Sequence, residues 1–243
     1  MTTVSPDPDP VWHPATPRDR LVLALDVGGM AAAEAMAAKV GEWFSTVKVG
    51  MELFAEAGPS AFARFHDLGY RVFCDLKLHD IPTTVRRAAR VHGRNGVDFC
   101  NFHTAGGAEM LAAGVEGLRE GAADIGLPVP VALGVTVLTS DPDAGAFPAR
   151  LATAVAAGCD GVVCSALEVA TATAAGMRTM VPGIRPAGSA LDDQARVGTP
   201  GAAIADGATW LVIGRAVTAA ADPAAAAAAV HAEVADALAA GAA

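Results

Sequence analysis

Short apolar runs recur along the chain, and each is followed by a segment whose apolar residues have helical spacing. The runs are nearly continuous in Val, Leu, Ile and Ala, which is typical of parallel strands that are covered on both faces. Eight runs predict strands: Leu21–Val27, Thr46–Met51, Arg71–Leu76, Val97–Phe102, Val129–Val135, Gly161–Cys164, Thr179–Val181 and Trp210–Ile213. Strands that alternate with helices in this way predict a parallel sheet.

The segments between these strands are rich in Ala, Glu, Arg and Met, and the clearest predicted helices are Met30–Phe44, Thr83–Asn95 and Ala108–Ala122. Eight strand–helix units in about 220 residues fit a closed barrel better than an open sheet. No Gly-x-Gly-x-x-Gly motif follows the first strand, which argues against a dinucleotide-binding fold. The predicted fold class is therefore α/β, a single-domain (β/α)8 TIM barrel over residues 20–243.

The two ends of the chain give separate predictions. Residues 1–19 are rich in Pro and Asp, do not resemble a signal peptide, and predict a flexible N-terminal tail. Near the other end, Asp222-Pro223 predicts a helix N-cap followed by a first-turn proline. The Ala-rich stretch after it should therefore be a surface helix with a narrow apolar stripe, and the sequence predicts no membrane span.

The composition narrows the possible partners and the cellular location. Of 243 residues, 53% are hydrophobic, and the net charge of −9 argues against a nucleic-acid partner. A few arginines can nevertheless bind a small anion locally. No C-x-x-C pair or zinc-ligand spacing occurs, so we expect reduced core cysteines and a cytoplasmic protein; the cysteines are Cys74, Cys100, Cys159 and Cys164.

Charged residues stand at the ends of the first three predicted strands, where a TIM barrel places its chemistry. They are Asp26, Lys48, Asp75 and Lys77. The chain has only three lysines against fourteen arginines, yet two of the three lie inside apolar strands. Asp75 and Lys77 are two residues apart on one strand, so both side chains should project from the same face. The pattern predicts a row of alternating ammonium and carboxylate groups that holds a proton donor in place.

Two alternatives stay open from the residues alone. The charged row could be a buried ion-pair network that only fixes the register of the barrel, although buried pairs are weak evidence of stabilisation. Asp80, which precedes Ile81-Pro82, could be the N-cap of the following helix rather than a catalytic group.

A second group of candidate site residues follows the seventh and eighth strands. In this fold the loops after these two strands usually form the phosphate site. Gly183 and Arg185 follow the seventh strand, and Gly214-Arg215 follows the eighth. Glycine lets backbone N–H groups approach a phosphate, and a guanidinium binds its oxygens in bidentate fashion. This pattern predicts a phosphate-binding site.

Further polar residues are candidates to line the same mouth. The long polar stretch 187–200 is typical of a lid, and Gln194 in its middle could reach a ligand. Thr139 after the fifth strand could do so from the opposite wall, and His103 ends the fourth strand. No pair of histidines has metal-binding spacing, and two lysines beside the carboxylates would repel a divalent cation, so we expect no metal.

The run 75–82, Asp-Leu-Lys-Leu-His-Asp-Ile-Pro, resembles the D-x-K-x-x-D-I-P signature of orotidine 5'-monophosphate decarboxylases. The resemblance extends over about residues 20 to 225, because further landmarks occur in the order of that family. They are Leu25-Asp26, Val47-Lys48-Val49-Gly50, Leu138-Thr139-Ser140, Pro182-Gly183-Ile184-Arg185-Pro186 and Val212-Ile213-Gly214-Arg215. The N-terminal tail is longer and richer in proline than the barrel requires.

The resemblance implies a cofactor-free and metal-free decarboxylation of orotidine 5'-monophosphate to uridine 5'-monophosphate in a homodimer. The implied catalytic residues are Lys48, Asp75, Lys77 as proton donor to C6, and Asp80 from the neighbouring subunit. The implied substrate-binding residues are Asp26 and Lys48 for ribose, Thr139 and Gln194 for the base, Arg185, Gly214 and Arg215 for phosphate, with Pro182 beside them and Thr84 across the dimer.

Two rival functions remain to be distinguished. A related phosphosugar enzyme, such as a keto-gulonate-phosphate decarboxylase or hexulose-phosphate synthase, would share the D-x-K run. It would depend on a metal and lack the D-I-P sequence and the Gln-bearing lid. A non-catalytic phosphate-binding barrel would need Arg185 and Arg215 but would have no use for Lys77.

Overall fold

The computed structural model describes residues 12–141, 144–186 and 198–241, and within them eight parallel strands close into one barrel. The strands pair in chain order, and the last returns to pair with the first. They are β1 (Leu21–Ala24), β2 (Thr46–Gly50), β3 (Arg71–Leu78), β4 (Phe99–His103), β5 (Val131–Val135), β6 (Gly161–Val163), β7 (Arg178–Val181) and β8 (Trp210–Ile213). The predicted TIM barrel is confirmed, with every predicted strand present.

Helices cover the outside of the barrel between successive strands. They are α1 (Met30–Val40), α2 (Met51–Ala57), α3 (Ser60–Asp67), α4 (Pro82–Arg94), α5 (Gly107–Ala123), α6 (Phe147–Ala156), α7 (Val169–Ala174), α8 (Pro200–Ala205), α9 (Arg215–Thr218) and α10 (Pro223–Gly241). The predicted cap of the last helix is confirmed, because Asp222 Oδ1 accepts the N–H groups of Ala224 and Ala225 at 3.1 Å. Its buried stripe consists of Pro223, Ala227, Val230 and Val234.

Alternation along each strand divides the core into two layers. In β1, Val22 belongs to the cluster inside the barrel, whereas Leu21 and Leu23 pack outward against the helices. The same alternation in β8 sends Trp210 inward. The inner cluster therefore fills the barrel from its lower end, and the polar residues of the mouth lie above it.

The polypeptide passes across the lower end of the barrel before β1 begins. The indole of Trp12 stacks on Trp210 with ring centroids 6.1 Å apart and meets Phe99 edge-on at 6.0 Å. The guanidinium carbon of Arg71 lies over the Trp12 ring, 3.9 Å from its centre. These four side chains, three aromatic rings and one guanidinium, form an aromatic plug that closes the end of the barrel opposite the mouth.

For residues 12–19 the structure differs from the flexible tail that composition predicts, because Trp12 buries part of its ring against the inner core. A short turn supports this segment, since Asp19 Oδ2 accepts the hydroxyl of Thr16 at 2.8 Å. Residues 1–11 lie outside the described residues. No helix in the described ranges has both the length and the apolar character needed to cross a membrane.

Candidate active site

A cavity of about 600 Å³ opens at the C-terminal ends of the strands. Its floor is apolar, with Ala24, Phe73, Val135, Val163 and Val212 exposing the top of the inner core. Its rim is polar and contains nine of the residues predicted from the sequence: Asp26, Lys48, Asp75, Lys77, Thr139, Pro182, Arg185, Gly214 and Arg215. Two distant parts of the sequence, around the third strand and around the seventh and eighth, therefore meet in one space.

The charged row is continuous across three strands. Lys48 Nζ lies 3.1 and 3.0 Å from the two carboxylate oxygens of Asp26 and 3.2 Å from Asp75 Oδ2. Lys77 Nζ donates to the other oxygen, Asp75 Oδ1, at 2.7 Å. The side chain of Asp75 is 12% exposed and that of Lys77 27%, so the row becomes more open toward Lys77. Both lysines line the cavity, and the side chain of Lys77 is the more exposed of the two.

The ion pairs decide the protonation states in this row. Burial alone would raise the pKa of Asp75, but the charges of Lys48 and Lys77 and their hydrogen bonds hold that pKa below its ordinary value. Burial alone would lower the pKa of Lys48, and Asp75 and Asp26 outweigh it and raise that pKa. At neutral pH, Asp75 is therefore a carboxylate and Lys48 an ammonium.

Gly50 lies directly against this row. A Cβ atom at that position would lie 2.5 Å from Asp26 Oδ1 and 2.9 Å from Lys48 Nζ. Real Cβ atoms do not approach other atoms so closely, so a side chain here would require the ends of Asp26 and Lys48 to move. The absence of a side chain at Gly50 thus leaves room for this ion pair.

The residues predicted to bind phosphate line another part of the same cavity. Arg185 is buried, with Nη1 donating to the carbonyl of Ile184 at 3.3 Å, whereas Arg215 is exposed at the start of α9. The N–H of Arg185 donates to the carbonyl of Gly198 at 3.0 Å, so the two ends of the intervening segment meet at the mouth. The predicted ligand residue Gln194 falls in that segment and lies outside the described residues.

Asp80 and Thr84 do not line the cavity of their own chain. Both are exposed beside the mouth, near the start of α4. The N-cap alternative for Asp80 is wrong, since α4 begins at Pro82 with Ile81 as its N-cap and without a side-chain cap. Asp80 Oδ1 instead accepts the N–H of its neighbour Ile81 at 2.7 Å. The carboxylate is therefore not used by the helix.

The histidines near the mouth form a pair of their own. The rings of His79 and His103 stack with centroids 5.4 Å apart, and His103 Nδ1 accepts the N–H of Ala105 at 3.2 Å. Burial, the charge of Arg150 and the neighbouring groups lower the pKa of His103. In the part of the chain that the structure describes, no group of three or more His, Cys, Asp or Glu residues could hold a metal ion.

Sequence reasoning missed one polar residue that contacts this row. Asn101, in β4, is completely buried and donates from Nδ2 to Asp75 Oδ1 at 2.7 Å. The available signal was an amide in the otherwise apolar run Phe99–Phe102, on the same strand face as Phe99. Met51 and Glu52, at the start of α2, also line the cavity and were not predicted to do so.

The chain was compared with known families, curated proteins and solved structures. Residues 19–230 match the model of the family described as "Orotidine 5'-phosphate decarboxylase / HUMPS family". An orotidine 5'-phosphate decarboxylase of Nitratidesulfovibrio vulgaris is 48% identical over 229 residues, which are 88% of this chain and 97% of that protein. The corresponding protein of Moorella thermoacetica is 45% identical, over 89% of this chain and 92% of its own length.

A solved structure gives the same result. The crystal structure of orotidine 5'-phosphate decarboxylase from Lactobacillus acidophilus superposes with a TM-score of 0.74 at 34% identity, covering 88% of this chain and 98% of that one. The family model and the relatives each match most of the chain. This chain therefore belongs to the orotidine 5'-phosphate decarboxylase / HUMPS family.

Proposed function

We propose that this enzyme decarboxylates orotidine 5'-monophosphate to uridine 5'-monophosphate without a metal ion or a cofactor. The observation that carries the proposal is one cavity that joins a Lys–Asp–Lys row on one wall to two arginines on the other. Relatives 45–48% identical to this chain are named orotidine 5'-phosphate decarboxylases, which supports the choice of substrate within a family that also includes other enzymes.

The chemistry of the reaction accounts for the charged row. Loss of carbon dioxide leaves negative charge at C6 of the pyrimidine, where no adjacent carbonyl delocalises it. An ammonium placed at that position stabilises the charge electrostatically and then supplies the proton. Lys77 takes this role, because its side chain is more exposed to the cavity than that of Lys48 and its Nζ is held at 2.7 Å by the ionised Asp75. Lys48 keeps Asp75 ionised from the other side.

Binding of the remote phosphate supports the reaction at C6. Remote binding energy can be used to order the catalytic groups and to close a loop over the substrate. The phosphate is bound by Arg185, Gly214 and Arg215, next to Pro182. The ribose hydroxyls are bound by Asp26 and Lys48, and the base by Thr139 and Gln194.

We further propose a cytoplasmic homodimer in which a second copy completes the site. Asp80 and Thr84 are exposed and lie outside the cavity of their own chain, as expected of residues that serve a neighbouring cavity. Ile81 between them is 66% exposed and would be covered in such an interface. All four cysteines are buried thiols that take no part in a disulfide bond, which fits a reducing compartment.

Hybrid dimers test the shared site. Lys77→Ala and Asp80→Ala chains are each expected to be inactive as pure dimers, because each lacks one half of every site. When mixed, they should regain activity, since one of the two cavities in a hybrid then has both residues. Mixtures that stay inactive although subunits exchange would show that Asp80 does not act across the interface.

A chelator assay tests the main proposal. Purified protein treated with EDTA should convert orotidine 5'-monophosphate at the same rate as untreated protein, measured as the decrease in substrate absorbance. Activity that returns only after a divalent metal is added would instead support the metal-dependent branch of the family. Binding of the nucleotide without any turnover would support a non-catalytic barrel.

A further inference from the structure

Asn101 is buried deep in the barrel beneath the catalytic row. Its side chain has no exposed surface, and it lies on the inner face of β4 above Phe99. The chain contains only one other asparagine, Asn95. Burying an amide is unfavourable unless its polar atoms are hydrogen-bonded, so the partners of Asn101 explain why it is there.

Both ends of the Asn101 amide are used within the catalytic row. Oδ1 accepts the backbone N–H of Lys77 at 2.7 Å, and Nδ2 donates to Asp75 Oδ1 at 2.7 Å. The amide has one productive orientation, because the N–H of Lys77 can only donate and the ionised carboxylate can only accept. One side chain on β4 thus binds two members of the row on β3.

The backbone of Lys77 explains why such a contact is needed. Lys77 has φ +52°, and it is the only non-glycine residue with a positive φ in the described ranges. A lysine in this left-handed region is strained, because its Cβ comes too close to the backbone carbonyl oxygen. The register of β3 against β4 runs from Cys74↔Cys100 to Leu78↔Phe102, so a bulge of three residues stands opposite Asn101 alone. The side-chain oxygen of Asn101 accepts the backbone N–H of Lys77, which the bulge removes from the hydrogen-bond ladder between β3 and β4.

We propose that Asn101 is a positioning residue for the proton donor, which holds Lys77 in its left-handed conformation and orients the Asp75 carboxylate against it. This inference rests on the proposed decarboxylation and deepens it. Strained backbone is retained where the surroundings fix it, and here the fixed residue is the one that must aim at C6. A small misplacement of a catalytic group costs on the order of 100-fold in rate.

The pH profile separates this role from a purely structural one. Asp75 is faced by Lys48 from β2, by Lys77 on its own strand and by Asn101 from β4, with Asp26 beyond Lys48. The hydrogen bond from Asn101 contributes to the low pKa of Asp75. Its loss should therefore raise that pKa and move the acid limb of kcat to higher pH.

Two variants and a matched control test the inference. Asn101→Ala removes both hydrogen bonds, and we expect kcat to fall on the order of 100-fold with KM unchanged.

Asn101→Asp keeps the acceptor for the Lys77 N–H but replaces the donor with a second carboxylate beside Asp75. Its kcat should be low at neutral pH and should rise as the pH falls, because the two carboxylates then share a proton. Asn95→Ala, just after α4, removes an amide whose nitrogen has no hydrogen-bond partner among the residues that the structure describes, and this variant should leave kcat unchanged.

The outcomes are distinguishable from a failure of the proposed function. A wild-type chain that does not turn over orotidine 5'-monophosphate overturns both proposals. An active wild type together with Asn101→Asp that has the same kcat and the same pH profile overturns this inference alone, even if Asn101→Ala does not fold. Loss of thermal stability in the Asn101 variants without any change in kcat or pH profile would assign Asn101 a structural role only.

Discussion

At the mouth of the barrel the strand ends contribute Lys48, Asp75 and Lys77, whereas at the opposite end Trp12 packs on Trp210 beneath an inner core of apolar side chains. Both regions are assembled from residues far apart in sequence. At the mouth the buried groups are charged, and the cost of their desolvation offsets most of their mutual attraction. The aromatic plug buries rings that favour the folded state directly.

We therefore expect turnover to be determined at the mouth and stability at the lower end of the barrel. Charges at the mouth are arranged for a reaction, so removing one should change turnover far more than folding. Rings at the lower end are not among the residues that line the cavity, so removing one should change folding far more than turnover. Each of the following predictions tests whether the two ends are separate in this sense.

Lys77→Ala should have the largest effect of any single change at the mouth. It removes both the charge that stabilises C6 and the proton that replaces carbon dioxide, so kcat should fall by at least about 10⁴-fold. Uridine 5'-monophosphate should still bind, because the arginines proposed to bind its phosphate are untouched. Asp75 keeps Lys48 at 3.2 Å, so the free energy of unfolding should change little. Steady-state kinetics measure kcat, a titration with uridine 5'-monophosphate measures product binding, and a denaturant melt measures the free energy of unfolding. Normal turnover in this variant would show that Lys77 is not the proton donor.

Trp12→Ala should have the opposite effect, lowering the free energy of unfolding but not kcat. Loss of the indole exposes Trp210 and Phe99 and leaves Arg71 without its ring, which should lower the free energy of unfolding by about 3 kcal/mol. The value of kcat should not change. Trp12→Phe keeps an aromatic ring at this position and is the control, with a smaller loss expected. A drop in kcat for folded Trp12→Ala protein would mean that the two ends are coupled.

Arg215→Ala should weaken substrate binding. Removing a guanidinium that binds phosphate costs about 1.5–3 kcal/mol, which corresponds to a rise in KM of about 10- to 100-fold. Arg178→Ala is the matched control from the lower end of the barrel, where Arg178 begins β7 and its guanidinium lies 2.8 Å from His13 Nε2. That variant should leave KM unchanged. An equal effect of the two substitutions on KM would show that bulk charge, rather than the site, attracts the substrate.

Much of this arrangement could be predicted from sequence because it follows from local periodicity. Continuous apolar runs predicted the eight strands, and a spacing of two predicted that Asp75 and Lys77 share a face. The order of the strands in a barrel then brought the arginines to the same mouth.

What could not be predicted depends on contacts between distant residues or on dihedral angles. The left-handed conformation of Lys77 and its bond to Asn101 arise from a bulge that period-two alternation does not encode. Asp80 has the sequence context of an N-cap, but Pro82 restricts the residue before it to an extended conformation. Ile81 therefore becomes the cap, with ψ 150°. The packing of Trp12 against the barrel could not be predicted because the Pro-rich composition around it is typical of disorder.

The smallest expected effect is a pH dependence confined to the lower end of the barrel. Burial alone would raise the pKa of Asp19, but hydrogen bonds from Thr16 and the charge of Arg71 lower it overall. Such a carboxylate stabilises the fold above its unfolded pKa of about 3.9, and the contribution is lost as the pH falls through the lower folded value. Wild type should therefore be slightly more stable than Asp19→Asn at pH 7, and the two should converge in acid, as thermal melts from pH 7 to pH 3 can measure. Because Asp19 is remote from the mouth, kcat at neutral pH should be the same in both proteins. A stability difference that persists or grows in acid would mean that charge on Asp19 does not hold the N-terminal segment in place.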